Sequence, residues 1–549
     1  MVVAVTLVVA LTAAACGSKS SSKAATTSTQ ATATKPQSGG SLVVGVRAET
    51  NGWNPAIDQW ADTGSLEGST VLEPLATTGA DSGAKPWLAK NWYPNTTFDK
   101  WVVNLQPGIK FQDGEAFNAD AVVLNINSYV KGTLSGLALG PMFKDVKALS
   151  DTSVEVDLTQ PWAAFPSSFL TGGSSLMMAP AMINSSNGGV NHPIGTGPFS
   201  FDSWTPGDTF TVKKNPTYWG GLDASGKVRT GQGLPYLNEI QFKVIADDST
   251  RTAALQNGDI NMQYTTNAGD ATKLAGSYTV LKDWDTEQAF IMPNTAPTVG
   301  GKANPLNDVH ARMALAYATN APEIAKEIGT GVVVPSSPWS PSNPWGMPTS
   351  QNGYVSYNLS QAKAQVAQYD SDTGQTGLTF TLSGLPSVDD ARTLQQLQAQ
   401  WKQAGITVNI ETLEQTAYIT KIATGGYQAA FFRNYGYPDP DQDYYFWSST
   451  TAKGVGNISI NFTQYTTPAM DKDLTTGRQS GYASIRKAAY HDLVKQLNAG
   501  FTNIWMYSTP YSFIAQKKVQ GLNAPGGPST IAFGNYSPKT WWSNVWLQS

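Results

Sequence analysis

Three aspartates at alternate positions, Asp439, Asp441 and Asp443, sit in the aromatic stretch NYGYPDPDQDYYFW, Asn434 to Trp447. Carboxylates spaced in this way suit a calcium loop, a pair of catalytic acids or the wall of a ligand cleft. A calcium loop of the D-x-D-x-D-G kind needs Gly at its sixth position for the sharp turn and Glu at its twelfth as a bidentate ligand. Counted from Asp439, those positions hold Tyr444 and Thr450. Two acids on one short loop also say nothing about the separation across a substrate that hydrolysis requires. A cleft wall asks only that the loop leave the ligand-binding end of a strand, and a capping turn that touches no ligand asks even less.

Other chemistry is sparse. The three histidines, His192, His310 and His491, are far apart and fit no H-E-x-x-H spacing, so no metal site is expected. No G-x-S-x-G nucleophile elbow occurs. GLDASGKV, Gly221–Val228, approaches a phosphate loop but has Val228 where the metal-binding hydroxyl belongs, and reads as a surface turn. No cofactor and no enzymatic activity are expected. With 36 Lys and Arg against 40 Asp and Glu the net charge is −4, and no basic block is available for nucleic acid. The 549 residues are 40% apolar, with 17 Trp, 22 Tyr and 19 Phe, enough for large cores and too long for one ordinary domain.

The elements around the aspartates set their place. GLTFTLSG alternates Leu378, Phe380 and Leu382, the pattern of a strand. DDARTLQQLQAQWKQAG spaces Leu394, Leu397, Trp401 and Ala404 for one helix face and ends at Gly405. ITVNIETL is a second strand, a short helical piece covers 418–423, and QAAFFRNYG is a third strand. Strand–helix–strand–helix–strand predicts a parallel right-handed α/β unit. The aspartate stretch then begins at the C-terminal end of the third strand, where open α/β sheets bind ligands, which favours the cleft wall. Upstream, LVVGV (42–46), WVVNLQPGIKFQDG (101–114), TFTVKKN and EIQFKVIAD read as strands, and Asn118 as the N-cap of a helix.

The N-terminus is of another kind. MVVAVTLVVALTAAAC is apolar, short for a membrane span, and resembles the signal peptide and lipobox of a bacterial lipoprotein, although no Lys or Arg precedes the apolar run. That resemblance implies lipidation of Cys16, the sole cysteine. Residues 17–40 contain no large apolar side chain and predict a disordered tether. The expected location is the extracytoplasmic face of a bacterial membrane.

Several segments in order resemble the extracytoplasmic solute-binding proteins of ABC importers, in the large peptide/nickel class. They are GGSLVVGVRAETNGWNPA, KPWLAKNWYPNTTFDKWVVNLQPGIKFQDGEAFNADAVVLNINSY, PIGTGPFSFDSWTPGDTFTVKKNPTYWG, YLNEIQFKVIADDSTRTAALQNGDINM, NPLNDVHARMALAYATN and YNLSQAKAQVAQY. The resemblance implies a two-lobed α/β fold of the periplasmic-binding type (type II, large class) with an extra inserted subdomain and a hinge. Lobe one would comprise 41–72, 193–288 and 505–549, the insertion 73–192 and lobe two 289–504, with crossings near EQAFIMPN and TNIWMYSTP. It also implies a monomeric receptor that serves a permease and an ATPase. In peptide-binding relatives an aspartate after the third strand pairs with the peptide amine; here Gly436 stands at that position, so Asp439 or Asp441 would have to replace it.

The expected ligand residues are Trp53, Trp60, Arg433, Tyr435, Tyr437, Asp439, Asp441 and Trp447. Arg433 suits either a ligand carboxylate or phosphate, or a salt bridge to the nearby aspartates. An oligopeptide or related small molecule is the leading solute, with oligosaccharide and metal chelate open. An envelope glycoside hydrolase using Asp439 or Asp441, and a signalling or adhesive lipoprotein with a degenerate cleft, are the readings from other classes.

Overall fold

The computed structural model describes residues 35–522 and 541–549 apart from Gln59, Ala61, Ala80, Leu134 and Ala224. The expected signal segment 1–16 with its Cys16, and tether residues 17–34, lie outside the described residues.

The apolar run LVVGV becomes the strand Ser41–Val46, pairing in parallel with Glu239–Val244 on one side and Met262–Thr265 on the other. A parallel strand is covered on both faces, which is why it reads as a continuous apolar run. It lies at the centre of a seven-stranded sheet, whose other strands are Phe199–Thr205, Thr209–Lys214, Tyr511–Ala515 and Thr279–Asp283. Asp247 caps the helix Asp248–Asn257 by accepting from the Thr250 N–H, and Gly258 ends it at φ 88°, the left-handed conformation that glycine adopts without strain.

A second sheet of five strands has the order 406–412, 378–384, 429–434, 288–293, 504–508. Its first three strands are the expected parallel α/β unit: Leu378–Gly384 pairs in parallel with both Ile406–Thr412 and Ala429–Asn434. The helix Val388–Gln403 covers it with Leu394, Leu397 and Trp401, all fully buried, each contributing roughly 2 kcal/mol of apolar burial. Trp505, Tyr507 and Ser508, expected in the first lobe, pair with Phe290, Ala289 and Gln288 in the second sheet. The chain leaves that sheet only at Thr509, because the apolar strand Ile504–Ser508 continues through the expected boundary.

A third sheet of four antiparallel strands, 89–94, 100–105, 153–158 and 143–150, carries the helix Ala119–Lys131, with Asn118 accepting from the Ala121 N–H as its cap. Gly221–Val228 closes as a small turn through a Leu222–Val228 bridge.

The joint between this third sheet and the first is organised by Glu73, which is 2% exposed. Its carboxylate accepts from Trp87 Nε1 at 3.1 Å, Thr196 Oγ1 at 2.9 Å, Tyr218 OH at 2.9 Å and Trp219 Nε1 at 2.8 Å. The K-N-P-T-Y-W segment is thus a donor platform, its Tyr and Trp locking onto one buried acid. Burial pushes the Glu73 carboxyl up from its ordinary 4.5 to about 7, against the pull of the four donors. A raised carboxyl favours the folded state when protonated, so this stability is complete below pH 4.5 and lost as pH rises through 7. At about 1.4 kcal/mol per unit the loss is about 3 kcal/mol. Thermal unfolding between pH 5 and pH 8 should show this fall in wild type. In Glu73→Gln, which does not titrate, the fall should flatten; an unchanged slope would assign the pH dependence elsewhere.

Candidate functional site

Among the described residues, two segments join the seven-stranded and five-stranded sheets, Trp284–Glu287 and Thr509–Pro510. They run side by side: the Thr509 N–H donates to the Glu287 carbonyl at 2.8 Å, and Ser508 Oγ donates to Gln288 Oε1 at 2.7 Å. Strand ends from both sheets meet here. Arg47 follows the first strand directly and donates through Nη2 and Nε to Asp62 Oδ2 at 2.7 and 3.1 Å. Tyr511 donates to Glu287 Oε2 at 2.7 Å and stacks on Tyr264 with ring centroids 5.7 Å apart. From the five-stranded sheet comes Arg433, one residue before the end of its strand.

The electrostatics tie these groups into one cluster. Burial acts to raise Asp62, but the charges of Arg47 and Arg433 together hold it below the usual carboxylate range. Burial keeps Glu287 above its ordinary value despite Arg433 and the Tyr511 hydroxyl. Glu67, on the same short helix as Asp62, is pushed well up by burial and then by Glu49 and Asp62. Yet the seam is reachable by solvent. The side chains of Arg47 and Asp62 keep 21% and 13% of their exposure, and Arg433 is only partly buried.

The aspartate stretch has a different role from the one its sequence suggests. It forms a 3-10 turn, Pro440–Phe446, with Asp439 capping it through the Asp441 N–H. Asp441 is fully buried and paired to Arg478, with Nε at 2.7 Å from Oδ1, while Trp162 Nε1 donates to Oδ2 at 2.6 Å. Asp439 is paired to Arg486 at 2.5 Å and accepts from Ser167 Oγ at 2.5 Å. Gln442 Nε2 donates to the Ser167 carbonyl and to Thr171 Oγ1, both at 3.1 Å. Arg478 lies 3.5 Å over the Tyr444 ring and 4.7 Å over Trp162. Trp162, Ser167 and Thr171 belong to the segment carrying the third sheet, so the aspartates rivet that segment to the second sheet's body. Asp439 and Asp441, expected as ligand groups, are fully engaged in ion pairs, because leaving Arg478 or Arg486 buried without a counter-charge would cost more. Asp443, also buried, accepts from Trp339 Nε1 at 3.2 Å, and burial keeps its carboxyl well up.

Four other expected ligand residues are core. Trp53 is fully buried, stacked on Phe210 at 4.0 Å, and Trp60 packs edge-on to it while donating to the Gly52 carbonyl. Tyr435 stacks on Phe290 at 5.0 Å and packs against Trp447, itself 1% exposed against Trp339. Their size makes them core fillers; a loop position did not expose them. Tyr437 is 8% exposed. Of the expected set, Arg433 reaches the seam. The salt bridge from Arg433 to Asp439 or Asp441 does not form, since both are taken. Arg47, Asp62, Tyr264, Glu287 and Tyr511 escaped the sequence reading. A charged residue directly after a buried strand was a signal for Arg47; Asp62 and Glu287 carried none.

Two large sheets joined by two adjacent crossings, with charged groups converging at the seam, define a two-lobed α/β fold. The sequence model of the bacterial extracellular solute-binding proteins, family 5 (middle region), matches residues 83–457, and the chain belongs to this family. It is 24% identical over 449 residues to the nickel-binding periplasmic protein of Escherichia coli K12, covering 78% of this chain and 82% of that one. It is 25% identical to a glutathione-binding protein of Pectobacterium atrosepticum, over 77% of this chain and 78% of the relative. The Bacillus subtilis oligopeptide-binding protein AppA, solved with a nonapeptide, superposes with TM-score 0.77 at 22% identity, covering 94% of this chain and all of that one. The chain is therefore an extracytoplasmic solute-binding protein of an ABC importer in the peptide/nickel class. Such proteins deliver solute to a permease and its ATPase, and these relatives are binding proteins, not enzymes.

The rivet gives a direct test. Asp441→Asn leaves Arg478 buried without its counter-charge and should cost about 3–5 kcal/mol in urea unfolding. Removing the exposed Lys85–Asp81 pair by Lys85→Ala should cost less than about 1 kcal/mol. Equal losses at the two sites would refute the structural role assigned to Asp441.

Proposed function

We propose that this chain is a lipid-anchored, monomeric receptor that captures a small solute, an oligopeptide or a related molecule, between its two lobes. Lobe one would comprise 41–72, 193–288 and 509–549, the insertion 73–192, and lobe two 289–508. The supporting observation is the seam itself: Arg47 and Asp62 from one sheet and Arg433 from the other keep solvent access where the chain crosses between sheets. A ligand touching both lobes favours the closed arrangement by its added contacts there. The contacts of Trp162, Ser167 and Thr171 with the Asp439–Gln442 turn support closure from the insertion side. Cys16 would carry the lipid and hold the receptor at the outer face of the membrane.

Thermal unfolding of residues 36–549, one compact unit, against peptides, oligosaccharides and nickel chelates tests the reading. A solute at about one hundred times its dissociation constant adds about 2.7 kcal/mol, a few degrees of midpoint for a protein of this size. A response to short peptides is expected; silence across all three panels would abandon solute capture. For the anchor, Cys16→Ser should move the protein from the membrane fraction to the soluble one, and unchanged membrane association would rule out a lipid on Cys16.

A further inference from the structure

Arg433 lies on the same face of its strand as Ala429 and Phe431, because side chains alternate along it. Among the described residues its guanidinium makes neither an ion pair nor a hydrogen bond, although it offers five N–H donors. The carboxylates whose field reaches it have other hydrogen-bond partners: Asp62 has Arg47, Glu287 the Tyr511 hydroxyl and Asp390 the Leu385 N–H, while the next acids along the chain, Asp439 and Asp441, pair with Arg486 and Arg478. Glu287 and Asp390 act on Arg433 through their field without occupying its donors.

The loop that follows is equally restricted. Gly436 stands at φ 83°, and a Cβ there would lie 1.5 Å from the Thr286 carbonyl oxygen. No side chain fits at this position while the crossing segment stays where it is. The next acids along the loop, Asp439 and Asp441, are the riveted ones, so the start of this loop presents no carboxylate to a ligand ammonium.

We propose that Arg433 sets the solute class: its planar fork takes a carboxylate of the ligand, so the receptor selects acids and does not require a free amine. This rests on the solute-binding reading above. A carboxylate matches the fork with two parallel hydrogen bonds. Arg47 nearby disfavours a ligand cation at this spot, while Asp62 and Glu287 disfavour a dianion such as a phosphate monoester.

The test uses the detergent-solubilised full chain and three probes: trialanine, its C-terminal amide and its N-acetyl form. In wild type, calorimetry should show the acid and the acetylated acid binding within a few-fold of each other and the amide at least tenfold weaker. In Arg433→Gln, the acid should fall to the level of the amide while the unliganded unfolding midpoint stays near wild type; Arg433→Lys, charged but without the fork, should fall between. The inference is overturned if the amide equals the acid, if acetylation abolishes binding, or if Arg433→Gln binds the acid as wild type does. A wild-type response to maltotriose alone would overturn it and keep the receptor reading. No response to peptides, maltotriose, phosphoserine or a nickel chelate would remove both.

Discussion

The architecture depends on one close pairing, the Thr509 N–H on the Glu287 carbonyl, where the two crossings between the sheets run side by side. Two adjacent connections put both crossings at one seam, and each sheet keeps its own packed core. The charged cluster follows the seam. Arg47, Asp62 and Arg433 are at strand and helix ends that point into it, and Glu287 and Tyr511 belong to the crossings themselves or border them. Gly436 must be glycine because the Thr286 carbonyl of a crossing lies against it.

Charges in this protein sort by whether their donors are used. Arg478 and Arg486 are buried with carboxylates in contact and aromatic rings against their faces, an arrangement that makes each ion pair a fixed part of the fold. Arg433 is held by the field of acids that do not touch it, which leaves its hydrogen-bonding capacity for a ligand. The same distinction separates Glu73, saturated by four donors, from Asp62, which keeps exposure at the seam. A buried group with all its partners fixes geometry; one with unused capacity and solvent access is available for recognition.

The relatives span a metal-binding protein and a glutathione-binding protein, and the solved neighbours include one holding a nonapeptide. Side chains that line a seam between lobes come from separate loops and strand ends and can change without disturbing either core, which lets one fold take different solutes. Here that lining has an arginine where the strand Ala429–Asn434 ends and no side chain at 436, a combination suited to an acid.

Local pattern was enough for much of the fold. The alternation of Leu378, Phe380 and Leu382, the helix face Leu394–Leu397–Trp401, the Asn118 cap and the Gly405 stop all appear as read, because each depends on neighbours within one or two turns. The parallel unit followed from the order of those elements, since handedness and crossover length leave few other arrangements. Partners distant in sequence were illegible. Nothing near Asp441 announces Trp162, and nothing near Glu73 announces Tyr218 and Trp219, so Asp439 and Asp441 read as a ligand wall when their carboxylates are held by Arg486 and Arg478 against Ser167 and Trp162. Trp53, Trp60, Tyr435 and Trp447 have loop positions in sequence and core positions in space, because burial is decided by what packs from other segments. Arg433 was visible as a charge at a strand end; that its donors remain unused was decided by the tertiary structure, which gave every neighbouring aspartate to another partner.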